Sequence, residues 1–221
     1  MNVTANGSFA FPGTLASGAT YAVTVLTNPT GQTCTVANGT GTIGTANVTN
    51  VTVTCTTNTY TIGGTITGLK GNVILQNNGG NNLSLNADGS FTFTTPVPYG
   101  GTYNVTVLTQ PNGQTCTVAN GSGVVGTANV TDVVVTCEDK HTIGGTAAGL
   151  SGSPVVLQNN GGDNLTVNAN GQFTFATPLA QGQTYAVTIL TQPTNRTCTV
   201  TGGSGTVGAT NVISVVVTCV P

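Results

Sequence analysis

Charge is what this sequence has least of. Three Lys or Arg, five Asp or Glu and one His are spread over 221 residues, for a formal net charge of −2. That excludes the electrostatic grip by which proteins hold nucleic acid or an anionic membrane surface. Trp is absent and Tyr and Phe number only five and six, so the exposed aromatic platform favoured by a carbohydrate site is thin. One His and five scattered carboxylates make no repeated constellation able to donate, accept or attack, so no catalytic residue and no cofactor is expected. With no CxxC and a single His, no metal-ligand set is expected either. No run approaches the roughly 20 apolar residues that span a bilayer, so membrane insertion is not expected. The first residues have neither the basic region nor the apolar core of a secretion signal. A 3.6-residue apolar period is missing throughout, and Thr, Val and Gly stand where a helix would need Ala, Leu, Glu and Lys. The chain reads as all-β.

What is present is repetition. The stretch QTCTVANGSGVVGTANVTDVVVTC at 114–137 recurs at 32–55 and, as RTCTVTGGSGTVGATNVISVVVTC, at 196–219, so that successive copies lie 82 positions apart. All six cysteines fall in these copies, one near the start and one at the end of each, 21 positions apart. Val/Thr alternation fits a half-buried strand, and Asn120-Gly121 and Gly126 allow the chain to reverse, so each copy is expected to form an antiparallel pair. Folding back near the middle brings the two thiols together, which predicts Cys34–Cys55, Cys116–Cys137 and Cys198–Cys219 rather than reduced thiols or a metal site. Disulfides imply an oxidising compartment, hence an extracellular or cell-surface protein whose export signal lies outside these residues.

The period divides the chain into an incomplete unit, 1–57, and two complete units, 58–139 and 140–221. MNVTANGSFAF at 1–11 aligns with LSLNADGSFTF (83–93) and LTVNANGQFTF (165–175), so the first unit has no counterpart of residues 60–82. Its apolar face is expected to be covered by a strand from another molecule or by a flanking repeat of the same protein. In a complete unit YTIGGTITGL (60–69) reads as an edge strand, its Gly63-Gly64 marking a bulge or a close backbone approach. VILQNN, LSLN, SFTFT, TYNVTVLTQ and the cysteine pair follow, about seven short strands in all. The expected fold is a run of antiparallel, seven-stranded β-sandwich domains of immunoglobulin-like type, each with one disulfide.

Through TIGGTxxGL, VLQNNGG and the TCTV…VVVTC pair, the whole chain resembles the tandem immunoglobulin-like repeats of large bacterial surface proteins, the Thr/Asn/Gly-rich stalks of adhesins and extracellular fibres. The resemblance implies a structural, non-enzymatic subunit of a surface filament, partnered by copies of itself head-to-tail or by flanking repeats. Many such stalks are stapled by isopeptide bonds, which need a Lys in each unit. Here Lys70 and Lys140 occupy non-equivalent places, and the disulfide is the expected staple.

Among polar features, QNNGGNNL (76–83) and QNNGGDNL (158–165) are near-identical amide-rich loops. Gln76, Asn77, Asn78, Gln158, Asn159 and Asn160 are the residues that would meet a glycan or protein ligand, set against a turn held by its own Asn side chains. His141 takes the place of Tyr60 at the start of a unit and reads as an aromatic substitute at a junction. Asp88 and Asp163 read as turn residues bonding local backbone. Glu138-Asp139 is a Ca²⁺ candidate weakened by the absence of carboxylates at Thr56-Thr57. Eleven N-x-S/T triplets, from Asn2 to Asn195, admit glycan modification.

Overall fold

The computed structural model describes residues 1–221, and every regular element in it is a strand. Contacts divide the chain into two compact units, one formed by residues 1–60 with 96–102 and 124–129, the other by 61–95, 103–123 and 130–221. In chain order the strands are β1 (Thr20–Ala22), β2 (Gln32–Ala37), β3 (Thr40–Thr42), β4 (Thr52–Thr57) and β5 (Thr59–Tyr60). Next come β6 (Ile62–Thr67), β7 (Val73–Asn77), β8 (Asn81–Leu85), β9 (Gly89–Thr92), β10 (Val97–Pro98), β11 (Thr102–Thr109), β12 (Gln114–Ala119), β13 (Ser122–Val124) and β14 (Val130–His141). The last group is β15 (Ile143–Ala148), β16 (Val155–Asn159), β17 (Asp163–Val167), β18 (Gly171–Thr174), β19 (Leu179–Ala180), β20 (Thr184–Thr191), β21 (Thr197–Thr201), β22 (Ser204–Thr206) and β23 (Val212–Val220).

Residues 143–220 show the architecture plainly. One sheet runs β18-β15-β23-β21 and the other β17-β16-β20-β22. Side chains of both enter a single core, with Ile143, Phe173, Val215, Val217 and Cys198 from the first sheet and Val155, Leu157, Val167, Tyr185 and Val187 from the second. Strict alternation produces this: along Val215–Val220 every second residue is buried and its neighbours face water. Sequence 62–137 gives the same two strand orders, β9-β6-β14-β12 and β8-β7-β11-β13. The fold is a β-sandwich.

Three features depart from the sequence expectation. The TIGGT strand is central rather than at an edge, since β6 lies between β14 and β9, and β15 between β23 and β18. It runs parallel to β14, and β15 parallel to β23, so each sandwich carries one parallel pair among otherwise antiparallel ones. The segment between the two strands of the cysteine pair is not a plain turn, because it carries β13 and β22, which join the opposite sheet. Gly64 explains the central position. A Cβ there would overlap the Val133 carbonyl oxygen, and one on Gly63 the Phe91 carbonyl oxygen; Gly144 and Gly145 meet Phe173 and Val215 in the same way. Two bare glycines let the backbones on both sides close in, and the register slips by a residue between Val130 and Val133.

In the first unit, β2 pairs with β4 and β1 with β3, each as an isolated two-stranded sheet. Residues 1–19 form no strand. In the complete sandwiches β9 hydrogen-bonds to β6 and β8 to β7, whereas residues 1–19 lie in no ladder. Likewise β1 stops at Ala22, whereas β11 continues through Val105–Thr109, the residues that pair with β7.

Candidate binding and assembly surfaces

Each cysteine pair sits directly opposite in its ladder. Cys34 faces Cys55, Cys116 faces Cys137 and Cys198 faces Cys219, bonded in every case with Cα atoms 3.9 Å apart. So close an approach marks a non-hydrogen-bonded position, at which the backbone N–H and C=O of Cys116 point away from β14. A side chain receives them: Cys116 N–H donates to Gln110 Oε1 at 2.6 Å, and Gln110 Nε2 donates to the Cys116 carbonyl at 2.9 Å. Gln192 does the same for Cys198. In the first unit the shorter Asn28 occupies this place, and its Oδ1 accepts from the Cys34 N–H. Because β12 and β21 are edge strands, the Gln amide takes the place of the next strand.

The QNNGG loops are built into the fold. Asn77 and Asn159 are buried, and their Oδ1 atoms accept the N–H groups of Asn104 and Ala186. Gln76 and Gln158 donate across the hairpin to Asn82 and Asn164. Asn78 and Asn160 hold φ of 52° and 51°, the left-handed conformation Asn tolerates best among residues with a Cβ. Beside the second loop is an open depression of about 320 Å³ lined by Asn159, Asn160, Gly162, Asp163, Thr177 and Leu179. At the first loop, Asn81 Nδ2 is buried without a hydrogen-bond partner.

The carboxylates act over longer distances than the sequence suggested. Asp88 does not bond its own turn: its two oxygens accept the N–H groups of Gly68 and Leu69. Asp163 accepts the Thr177 N–H. Asp139 pairs with the Lys70 ammonium and accepts from Gln114 Nε2 at 3.0 Å. The hydrogen bond from Lys70, followed by that from Gln114, holds its carboxyl below the usual carboxylate range. His141 pairs with Leu179 as Tyr60 pairs with Val97, the equivalent place in both. No three His, Cys, Asp or Glu side chains converge as a metal site would require.

The first unit presents its apolar side chains to solvent. Phe9 and Phe11 keep an edge-to-face contact at 6.3 Å, as Phe91 and Phe93 do at 6.0 Å, yet Phe11 is 51% exposed where Phe93 and Phe175 are 1%. Val53 is 36% exposed against 0% for Val135. Cys55 is exposed, whereas Cys116, Cys137, Cys198 and Cys219 are all buried.

No family model matches the chain, and no curated protein does. Among solved structures it is similar to the Bacillus anthracis TIE protein, at 12% identity and a TM-score of 0.32 over 77% of this chain and 37% of that one. A streptococcal ancillary pilin gives 14% and 0.37 over 80% of this chain and 69% of that one. The pilus adhesin SpaC of Lactobacillus rhamnosus GG gives 12% and 0.28 over 76% and 31%. The chain thus spans well under half the length of the first and third.

Proposed function

We propose that this chain is a non-enzymatic structural segment of an exported filament or surface appendage, made of disulfide-stapled β-sandwich repeats, one incomplete at 1–57 and two complete at 58–139 and 140–221. The observation that carries the reading is the continuity of β14. Over 12 residues this strand leaves the sheet it shares with β12 and β6, and at Lys140 and His141 it pairs with β19 of the following repeat. Only Thr142 separates it from β15. The Gln181 N–H donates to Asp139 O, and Lys140 N–H to Gly113 O, so the joint is hydrogen-bonded on both sides. Repeats joined by shared ladder rather than by a loose linker suit a load-bearing shaft. The disulfides support a location outside the reducing cytosol for that shaft. Copies join head-to-tail by strand complementation.

Electron microscopy and light scattering over a concentration series test this. Filaments, or particle mass that climbs with concentration, support the reading; a monodisperse monomer at every concentration rejects self-assembly. A second reading, an adhesin segment that takes a glycan or protein at Gln76–Asn78 and Gln158–Asn160, is favoured by the depression beside Asn159 and Asp163. Binding on a glycan array that is lost in Asn160→Ala would support it.

A further inference from the structure

Asn followed by Gly is a chemically weak step in any chain, because glycine has no Cβ to shield its backbone nitrogen from the neighbouring side-chain amide. Residues 58–221 hold five such steps, at Asn78, Asn112, Asn120, Asn160 and Asn170. The fold ties four of them. Asn120 Nδ2 donates to Asp132 O at 3.1 Å and Asn160 Nδ2 to Thr184 O at 2.9 Å, while Asn170 Oδ1 accepts the Leu150 N–H at 2.9 Å. Asn78 holds the same left-handed conformation as Asn160, and its N–H donates to Asn104 O as that of Asn160 does to Ala186 O. Asn112 differs. It lies with Gly113 in the exposed turn between β11 and β12, its side-chain amide forms no hydrogen bond within the protein, and neither does the Gly113 N–H. The corresponding steps of the other repeats, Thr30-Gly31 and Thr194-Asn195, contain no Asn-Gly pair.

We propose that Asn112 is a modification site, at which spontaneous deamidation through a succinimide loosens the joint between residues 58–139 and the repeat that follows. The Gly113 nitrogen loses its proton to solvent and attacks Asn112 Cγ; the bond from Cγ to Nδ2 breaks and ammonia leaves, closing the imide ring. Water then opens the ring at either carbonyl. The products are aspartate and isoaspartate, the latter with its main chain running through the side-chain carbons. One water enters and one ammonia leaves, with nothing oxidised or reduced and no enzyme required. The turn is a place where this change reaches the joint. Gly113 O accepts the Lys140 N–H at 2.8 Å. The next residue, Gln114, is 2% exposed and fastens three places: its Nε2 donates to Gly68 O at 2.7 Å and to Asp139 Oδ1 at 3.0 Å, and its Oε1 accepts the Lys70 N–H at 2.8 Å. Isoaspartate adds a methylene to the main chain at residue 112, which displaces Gly113 and pulls on these bonds where β14 crosses to β19. The change runs one way, so it accumulates with the age of the protein.

The experiment holds the intact 221-residue chain folded in mildly alkaline buffer made with heavy-oxygen water, samples it over weeks, and maps peptic peptides by mass. Heavy oxygen should enter at Asn112 at least about fivefold faster than at Asn78, Asn120, Asn160 or Asn170, the weight of one retained hydrogen bond, and isoaspartate should be among the products. In the reduced, unfolded chain the five sites should react at similar rates. Hydrogen exchange at the Lys140 amide should rise about fivefold or more in the aged chain. It should stay at the parent value in Asn112→Asp, which has the carboxylate but an ordinary main chain, and in incubated Asn112→Ala, which cannot form the imide. Equal rates at Asn112 and Asn120 in the folded chain, aspartate without isoaspartate at residue 112, or isoaspartate there with unchanged exchange at Lys140 would each overturn the proposal. None of these readouts depends on whether filaments form, so the appendage reading stands or falls separately.

Discussion

Gln110 and Cys116, six residues apart, are joined by two hydrogen bonds of 2.6 and 2.9 Å between a side-chain amide and the backbone N–H and C=O of a disulfide-bonded edge residue. The amide does for one residue what a neighbouring strand does for several. It leaves the edge of β12 satisfied at the point where the staple holds it flat, which removes a template for pairing with another molecule. Gln192 and Cys198 repeat the arrangement.

Replacing that amide should therefore cost stability and specificity together. Gln110→Ala is expected to lower stability by about 1 kcal/mol, and to increase association through the bared edge of β12. Gln110→Glu keeps the acceptor for the Cys116 N–H but faces the carbonyl with a second acceptor, and should be no better than Ala. Denaturant unfolding and sedimentation velocity on the two variants check both halves. An unchanged midpoint and unchanged sedimentation would show that the clamp is incidental.

The glycine pair is the most sensitive place in each complete sandwich. Gly64→Ala must push the Val133 carbonyl away from β6 and open the parallel ladder, with an expected loss of about 2–4 kcal/mol. Gly145→Ala should do the same against Val215. Gly79→Ala, at a loop position with φ of 70° and open space around the added methyl, should cost less, through backbone strain alone. Thermal unfolding of the three variants ranks them.

The three disulfides should not respond alike to a reductant. Cys34–Cys55 lies on the open unit with Cys55 exposed, while the other four sulfurs are buried. Under native conditions it should be cleaved first and alone, and the other two should open only with unfolding. Mass mapping after pulsed alkylation reads the order, and simultaneous reduction of all three would contradict it.

Acid should release the contact between Lys70 and Asp139. The ammonium holds the Asp139 carboxyl below its ordinary value of 3.8, so the ionised form is favoured in the fold. The stabilisation is therefore present above that value and is lost as pH falls through and below it. The side chains are 68% and 37% exposed, so the effect is small and falls with added salt. The gap in Tm between the parent chain and Lys70→Met should close on going from about pH 6 to about pH 2.5, and should be narrower in high salt at the upper pH.

The sequence by itself determined the class and the period. Alternation of Val with Thr, and the absence of any helical spacing, are local properties, so an all-β chain was legible from neighbouring residues alone. What only the tertiary structure decided is which strands meet. TIGGT reads as an edge strand because Gly is a poor strand former, yet the missing side chains are what let β6 lie between β9 and β14, and that depends on carbonyl groups about 30 and 70 residues away in sequence. Asp88 looks like a turn residue bonding its own backbone, but its oxygens reach Gly68 and Leu69 across the fold. The QNNGG loops read either as ligand contacts or as turns held by their own Asn side chains, and the fold buries Asn77 and Asn159 with their oxygens accepting the Asn104 and Ala186 N–H groups. Composition shows how many hydrogen-bonding groups a chain has. Only folding shows which of them the chain uses on itself, because each such bond joins strands whose separation along the chain carries no sign of it.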